Sequence, residues 1–168
     1  GNILLSEPYL RNFMPKFELD AIDRRILTAL QEDGRMTNQQ LAERVGLSPS
    51  PCLRRVRALE DSRAIDRYVA LVDPEIAGLS VSAFVRVRLD RQDDRHLAMF
   101  EEAVRDVPEV MECYLMTGDA DYQLRVLVPS LDAFEDFLRS KLTRIDGVSE
   151  VTTSFALRPI VYRTAIPL

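Results

Sequence analysis

A chain of 168 residues is long enough for one large domain or two small ones with cores of their own. With 46% hydrophobic and 29% charged residues it has the make-up of a soluble globular protein, and no apolar run approaches the roughly 20 residues of a membrane span. Two distant cysteines, Cys52 and Cys113, and a lone histidine, His96, argue against a disulfide framework and a metal site, and place the chain in a reducing cytoplasm.

The N-terminus has neither the basic start nor the apolar stretch of a secretory signal. Net charge is −5 but unevenly spread, with +1 over residues 16–68 and −6 over residues 69–168. That excludes a protein coated in DNA-binding charge, not one with a local basic footprint. Met14 directly precedes the first patterned segment, so residues 1–15 read as an N-terminal extension or expression remnant.

Asp20 followed by Ile22, Ile26 and Leu30, with Leu27 beside them, predicts an amphipathic helix capped by Asp20 and ended at Gly34. Thr37 and Gln40 form a capping box that opens a second helix through Leu41, Ala42 and Val45, stopped by Gly46. Ser48 then caps a third helix with Pro49 at its first position. Cys52, Leu53, Val56 and Leu59 share one arc of it, while Ser50, Arg54 and Arg57 lie opposite with Arg55 at the edge.

Small polar residues leading a helix, with arginines behind them, suit the major groove of DNA. A plain three-helix bundle with a solvated arginine face fits this pattern equally well. Cys52, on the apolar side, reads as a small buried hydrophobe rather than a redox switch.

The stretch from Leu19 to Glu60, with its GRMT step, LAERVGLS turn and SPSPCLRRVRALE helix, resembles the helix-turn-helix of the Lrp/AsnC (feast/famine) regulators. The resemblance implies a DNA-reading face of Thr37, Ser48, Pro49, Ser50, Arg54, Arg55 and Arg57. One departure is Arg63, which stands where the family usually has Gly. Either Arg63 takes a strained conformation or the helix ends differently.

Arg67 to Val72 reads as a linker strand closed by Asp73-Pro74. Beyond it, Val81, Ala83, Val85, Val87 and Leu89 alternate with Ser82, Phe84, Arg86 and Arg88. Leu97, Phe100, Val104 and Val107 mark a helix ended by Pro108. Strands follow over Val110–Thr117 and Tyr122–Val128. Ser130 caps a helix carrying Leu131, Phe134, Leu138, Leu142 and Ile145, and Gly147 closes it. Val148–Arg158 is a last strand, and Ile160–Ile166 a tail that pairs again.

The expected fold class is thus α+β: a three-helix (winged) helix-turn-helix domain over residues 16–65, a linker strand or hinge over 66–78, and a ferredoxin-like βαββαβ (RAM-type) domain over 79–168. Both helices of the second domain should cover one sheet face. Apolar residues in both alternating sets of the second strand, Met111/Cys113/Leu115 and Val110/Tyr114/Met116, with Phe84 nearby, predict an apolar open face and face-to-face dimerisation.

This half also resembles the family, and the likeness spans Phe17 to Leu168. It implies homodimers that assemble into octamers or related rings and bind an amino acid between dimers, with no cofactor. The loop TGDADY resembles the family's effector loop, which would make Thr117, Gly118, Asp119, Asp121 and Tyr122 effector-binding residues. Taken alone it is ordinary hairpin-turn chemistry. Thr152, Thr153 and Ser154 add hydroxyls that could meet the amino acid or simply form a polar strand face.

No catalytic set is evident: His96 lies among Asp93, Asp94 and Arg95, and Asp119 and Asp121 are turn carboxylates. The leading expectation is a ligand-responsive transcriptional regulator whose partners are double-stranded DNA, an amino acid and other copies of itself. The alternative is an effector-independent DNA-architectural protein that wraps DNA. A third reading, a ligand module whose helical unit contacts protein, is the weakest.

Overall fold

Asp20 caps the first helix by accepting hydrogen bonds from the Ile22 and Asp23 amides, both at 2.8 Å, while the Asp23 carboxylate accepts from the Asp20 amide. In a computed structural model that describes residues 18–168, this capping box starts α1 (Ala21–Glu32). The second capping box is also present, Thr37 with Gln40, and starts α2 (Asn38–Val45). Gly46 ends α2 with φ 72°, in the left-handed conformation that glycine adopts at least cost. Ser48 and Pro49 lead into α3 (Pro49–Asp61). The N-terminal extension expected over residues 1–15 lies outside the described residues.

α1, α2 and α3 close on a core of Ile26, Leu27, Leu41, Val45, Cys52 and Leu59. Three details differ from expectation. Gly34 does not take a left-handed conformation; the extended Asp33 ends α1, and its carboxylate accepts from the Arg35 amide at 2.9 Å. Leu53 is not in the core but 38% exposed. Among the described residues no strand forms between α3 and Val81, so the helical unit carries no wing strand.

Arg63 takes φ 58°, the strained alternative, as the chain turns out of α3. The Arg63 amide donates to Glu60 at 2.9 Å and the Ile65 amide to Leu59 at 3.0 Å, which satisfies the last carbonyls of the helix. The linker strand over 67–72 does not form, because a strand needs a ladder partner; Val69, Leu71 and Val72 stand exposed instead.

The chain divides into two compact units. The first comprises the described residues up to Ala70 together with Tyr162–Leu168, the second Leu71–Val161. The tail does not pair with the sheet. Gln31 on α1 accepts from the Ile166 amide at 2.7 Å and donates to its carbonyl at 3.1 Å, as a neighbouring strand would.

The second unit runs β1 (Val81–Leu89), α4 (Asp94–Arg105), β2 (Val110–Leu115), β3 (Tyr122–Val128), α5 (Leu131–Ser140), a 3-10 turn (Leu142–Arg144) and β4 (Val148–Phe155). The antiparallel sheet has order β2-β3-β1-β4, the ferredoxin-like arrangement. Alternation in β1 sends Ala83, Val85 and Val87 under the helices, where they meet Phe100, Leu124, Val126 and Phe137.

The open face is not the apolar surface expected. A bulge between Val110 and Glu112 leaves Met111 without a register partner and breaks the alternation of β2. Cys113 is thereby paired with Leu124 on the helix side, and Glu112 with Arg125 on the other. Phe84 and Tyr114 consequently stand among Arg86, Arg88, Arg125, Glu112 and Glu150.

Candidate functional site

Two surfaces gather the expected functional residues, one in each unit. On the first, α3 presents Ser50, Arg54 and Arg57 outward along a shallow groove of about 420 Å³. Ser48 stands at the N-cap position, but its hydroxyl makes no capping bond and stays available to a partner. Pro49 and Pro51 occupy the first turn, where no intrahelical donor is needed. Among the described residues, neither Arg54 nor Arg57 is held in an ion pair.

Two members of the expected set are already committed. Arg55 donates from Nη1 to Asp20 at 2.7 Å and to Asp23 at 2.8 Å, so it locks α3 to α1 rather than facing outward. The Thr37 hydroxyl accepts from the Gln40 amide at 3.3 Å and donates to the Gln40 side chain at 3.0 Å. Cys52 is fully buried, and burial pushes its thiol above the ordinary value, as an inert core cysteine requires.

On the second unit, the loop from Met116 to Asp121 joins β2 to β3. Gly118 has φ 115°, a conformation that side chains avoid, with open space where a Cβ would point. Thr117 and Asp119 are exposed. Arg88 donates from Nε to the Asp119 carbonyl at 2.8 Å and fastens the loop to β1. A shallow cavity of about 190 Å³ opens here, lined by Arg86, Arg88, Asp119, Ala120, Glu150 and Thr152.

Asp121 and Tyr122 do not face that cavity. The Asp121 carboxylate is buried and accepts from the Leu89 amide and the Gln92 side chain, each at 2.7 Å. Tyr122 is buried against Phe100, ring centroids 4.5 Å apart, and its hydroxyl donates to Glu101 at 3.0 Å. Burial, with that carboxylate beside it, holds the phenol well above its usual range. Both residues are satisfied within the subunit.

The three hydroxyls of β4 also separate. Thr152 pairs with Arg86 and Ser154 with Phe84 on the open face, while Thr153 pairs with Val85 on the helix side. Arg86, Arg88 and Glu150 were missed as cavity residues. The alternation of β1 already put both arginines opposite the core, but only the sheet order brings Glu150 and the loop beside them.

The sequence matches two domain descriptions in tandem, an AsnC-type helix-turn-helix domain over residues 19–60 and an Lrp/AsnC ligand binding domain over residues 82–166. The chain belongs to the Lrp/AsnC family. It is a DNA-binding transcriptional regulator of the Lrp/AsnC type, with the family's amino-acid-binding domain after its helix-turn-helix.

Similar relatives cover nearly the whole chain. The Bkd operon transcriptional regulator of Pseudomonas aeruginosa is 49% identical over 151 residues, 90% of this chain and 99% of its own length. The leucine-responsive regulatory protein of Escherichia coli is 41% identical over 146 residues, 87% of this chain and 89% of its own. A Neisseria meningitidis transcriptional regulator solved in complex with L-Met is 42% identical, with a TM-score of 0.85 over 89% of this chain and 97% of that one. No group of side chains suited to a metal ion occurs among the described residues, and no helix described is long and apolar enough to cross a membrane.

Proposed function

We propose that this Lrp/AsnC regulator acts in the cytoplasm as a homo-oligomer, an octamer built from dimers, that reads a pseudo-palindromic operator and responds to an amino acid. Residues 16–65 read DNA, 66–78 form a hinge, and 79–168 assemble the oligomer and hold the effector. The observation that carries the reading is the stripe on α3, where Ser50, Arg54 and Arg57 stand exposed and without ion-pair partners. Ser48 and Thr37 flank it at the helix N-termini, where the uncommitted Ser48 hydroxyl and the free first-turn amides can meet phosphate, with Pro49 as an apolar neighbour.

Exposed apolar side chains support assembly. Val69, Leu71 and Val72 lie exposed after α3, and Leu157, Ile160 and Val161 after β4. The effector site we assign to Thr117, Gly118 and Asp119, with Thr152 and Ser154 on the neighbouring open face. The Neisseria relative with bound L-Met supports an amino acid as the effector class. Its role is regulatory rather than catalytic.

A second reading, an architectural protein that needs no effector, gains from one observation. Asp121, the loop carboxylate best suited to an α-ammonium group, already has two partners inside its own subunit. Binding of the purified protein to fragmented genomic DNA, at fixed salt, with and without an amino-acid pool, tests both. A few fragments enriched and altered by the pool support the regulator; enrichment indifferent to the pool supports the architectural protein. No enrichment at all overturns α3 as a DNA reader.

A further inference from the structure

Along α3, Ser50, Leu53, Arg54, Arg57, Ala58 and Asp61 recur at three- and four-residue steps and line one groove. Leu53 is the large apolar member of that stripe. It is 38% exposed, whereas its neighbours Cys52 and Leu59 are fully buried. A solitary surface leucine is ordinary, but this one stands between a serine and two arginines on the face that meets DNA. Asp61, at the far end of the same stripe, repels phosphate and confines close approach to the first turns of the helix, where Leu53 lies.

In the major groove, base edges present hydrogen-bond donors and acceptors and one apolar group, the C5-methyl of thymine. We propose that Leu53 is a specificity-determining residue that reads thymine by packing against this methyl, beside the polar contacts of Ser50 and Arg54. The inference rests on the reading of α3 as the helix that docks in the groove. It adds a preference that arginines cannot supply, because a guanidinium finds no hydrogen-bond partner in a methyl group.

The test uses a genomic fragment that the protein enriches, with each thymine replaced in turn by deoxyuridine, which removes only the methyl. Affinities are measured by fluorescence anisotropy for the natural protein and for Leu53→Ala. Natural protein should lose about fourfold at one position per half-site, the value of one buried methyl group. Leu53→Ala should bind the thymine and uracil duplexes equally.

Leu53→Gln, with a side chain of similar length, should shift preference at that position from thymine toward adenine, whose N6 and N7 suit an amide. Indifference of the natural protein to every uracil substitution overturns the proposal, as does an unchanged fourfold effect in Leu53→Ala. Arg54→Ala and Arg57→Ala are measured in parallel. If both bind normally, the docking of α3 itself fails; if either weakens binding while uracil has no effect, only the role of Leu53 fails.

Discussion

Arg55 crosses the helical unit to place its Nη1 2.8 Å from a carboxylate oxygen of Asp23, which is itself nearly buried. The two arginines nearest in sequence, Arg54 and Arg57, point outward. On the proposed reading of α3, one basic cluster performs two separable tasks. Arg55→Ala should lower stability by about 1–3 kcal/mol, because it leaves a buried acceptor without its donor. Arg54→Ala should leave the melting temperature within a degree or two and weaken specific DNA binding by about 1–3 kcal/mol where the side chain reads a guanine. Thermal melts and binding titrations on both variants check the division; loss of stability in Arg54→Ala would contradict it.

Asp20 gives the same clamp a pH dependence. Backbone donation from Asp23, together with the bond from Arg55, holds the Asp20 carboxyl below its usual 3.8. A depressed carboxylate stabilises the fold above its unfolded pKa, and that contribution disappears as pH falls through the folded value. The helical unit should therefore lose stability below about pH 4. Asp20→Asn keeps a capping oxygen but no charge, so its melting temperature should converge on that of the natural protein in acid. Parallel melts from pH 7 to pH 2.5 show whether they do.

For the loop before β3, burial decides what Asp121 does. Asp121→Ala strands the Leu89 amide and the Gln92 side chain, and should destabilise the second unit by about 1–3 kcal/mol. Asp119→Ala, at an exposed position whose carbonyl rather than carboxylate is used, should leave stability unchanged. Calorimetry with a panel of amino acids then separates the roles. Lost effector binding in Asp121→Ala at full stability would return that carboxylate to the ligand.

Arg63 bears left-handed strain that glycine would not. Arg63→Gly should raise stability by about 0.5–1 kcal/mol, since relief of the steric cost exceeds the added freedom of the unfolded chain. Chemical denaturation with an unchanged slope is the appropriate readout.

Local chemistry was the most legible part of this sequence. Asp20, Thr37 with Gln40, Ser130 and Gly46 mark their helix ends because capping depends on residues within one turn. The period-two pattern of β1 likewise contains its own answer, since alternate residues face a single core. What escaped was set by partners far along the chain. Arg55 and Arg54 are adjacent in sequence, and nothing local says that Asp20 and Asp23 will claim one of them.

Asp121 reads as a turn residue until β1 supplies the Leu89 amide. The segment 67–72 has strand composition but no ladder partner among the described residues. The bulge at Met111 shifts the register of β2, which no pattern of apolar residues announces.

Pro49 and Pro51 sit in the first turn of α3 and remove two of the four amides that a helix start leaves unbonded. They also restrict the backbone of this turn before any partner arrives. If α3 docks in the groove as proposed, a helix so stiffened has little disorder left to surrender when DNA is engaged, so association can proceed as the docking of a finished surface rather than as folding upon contact. Its discrimination between sequences then resides in side chains alone, and exchanging a few of them should redirect the helix to new sites without rebuilding the scaffold that holds it.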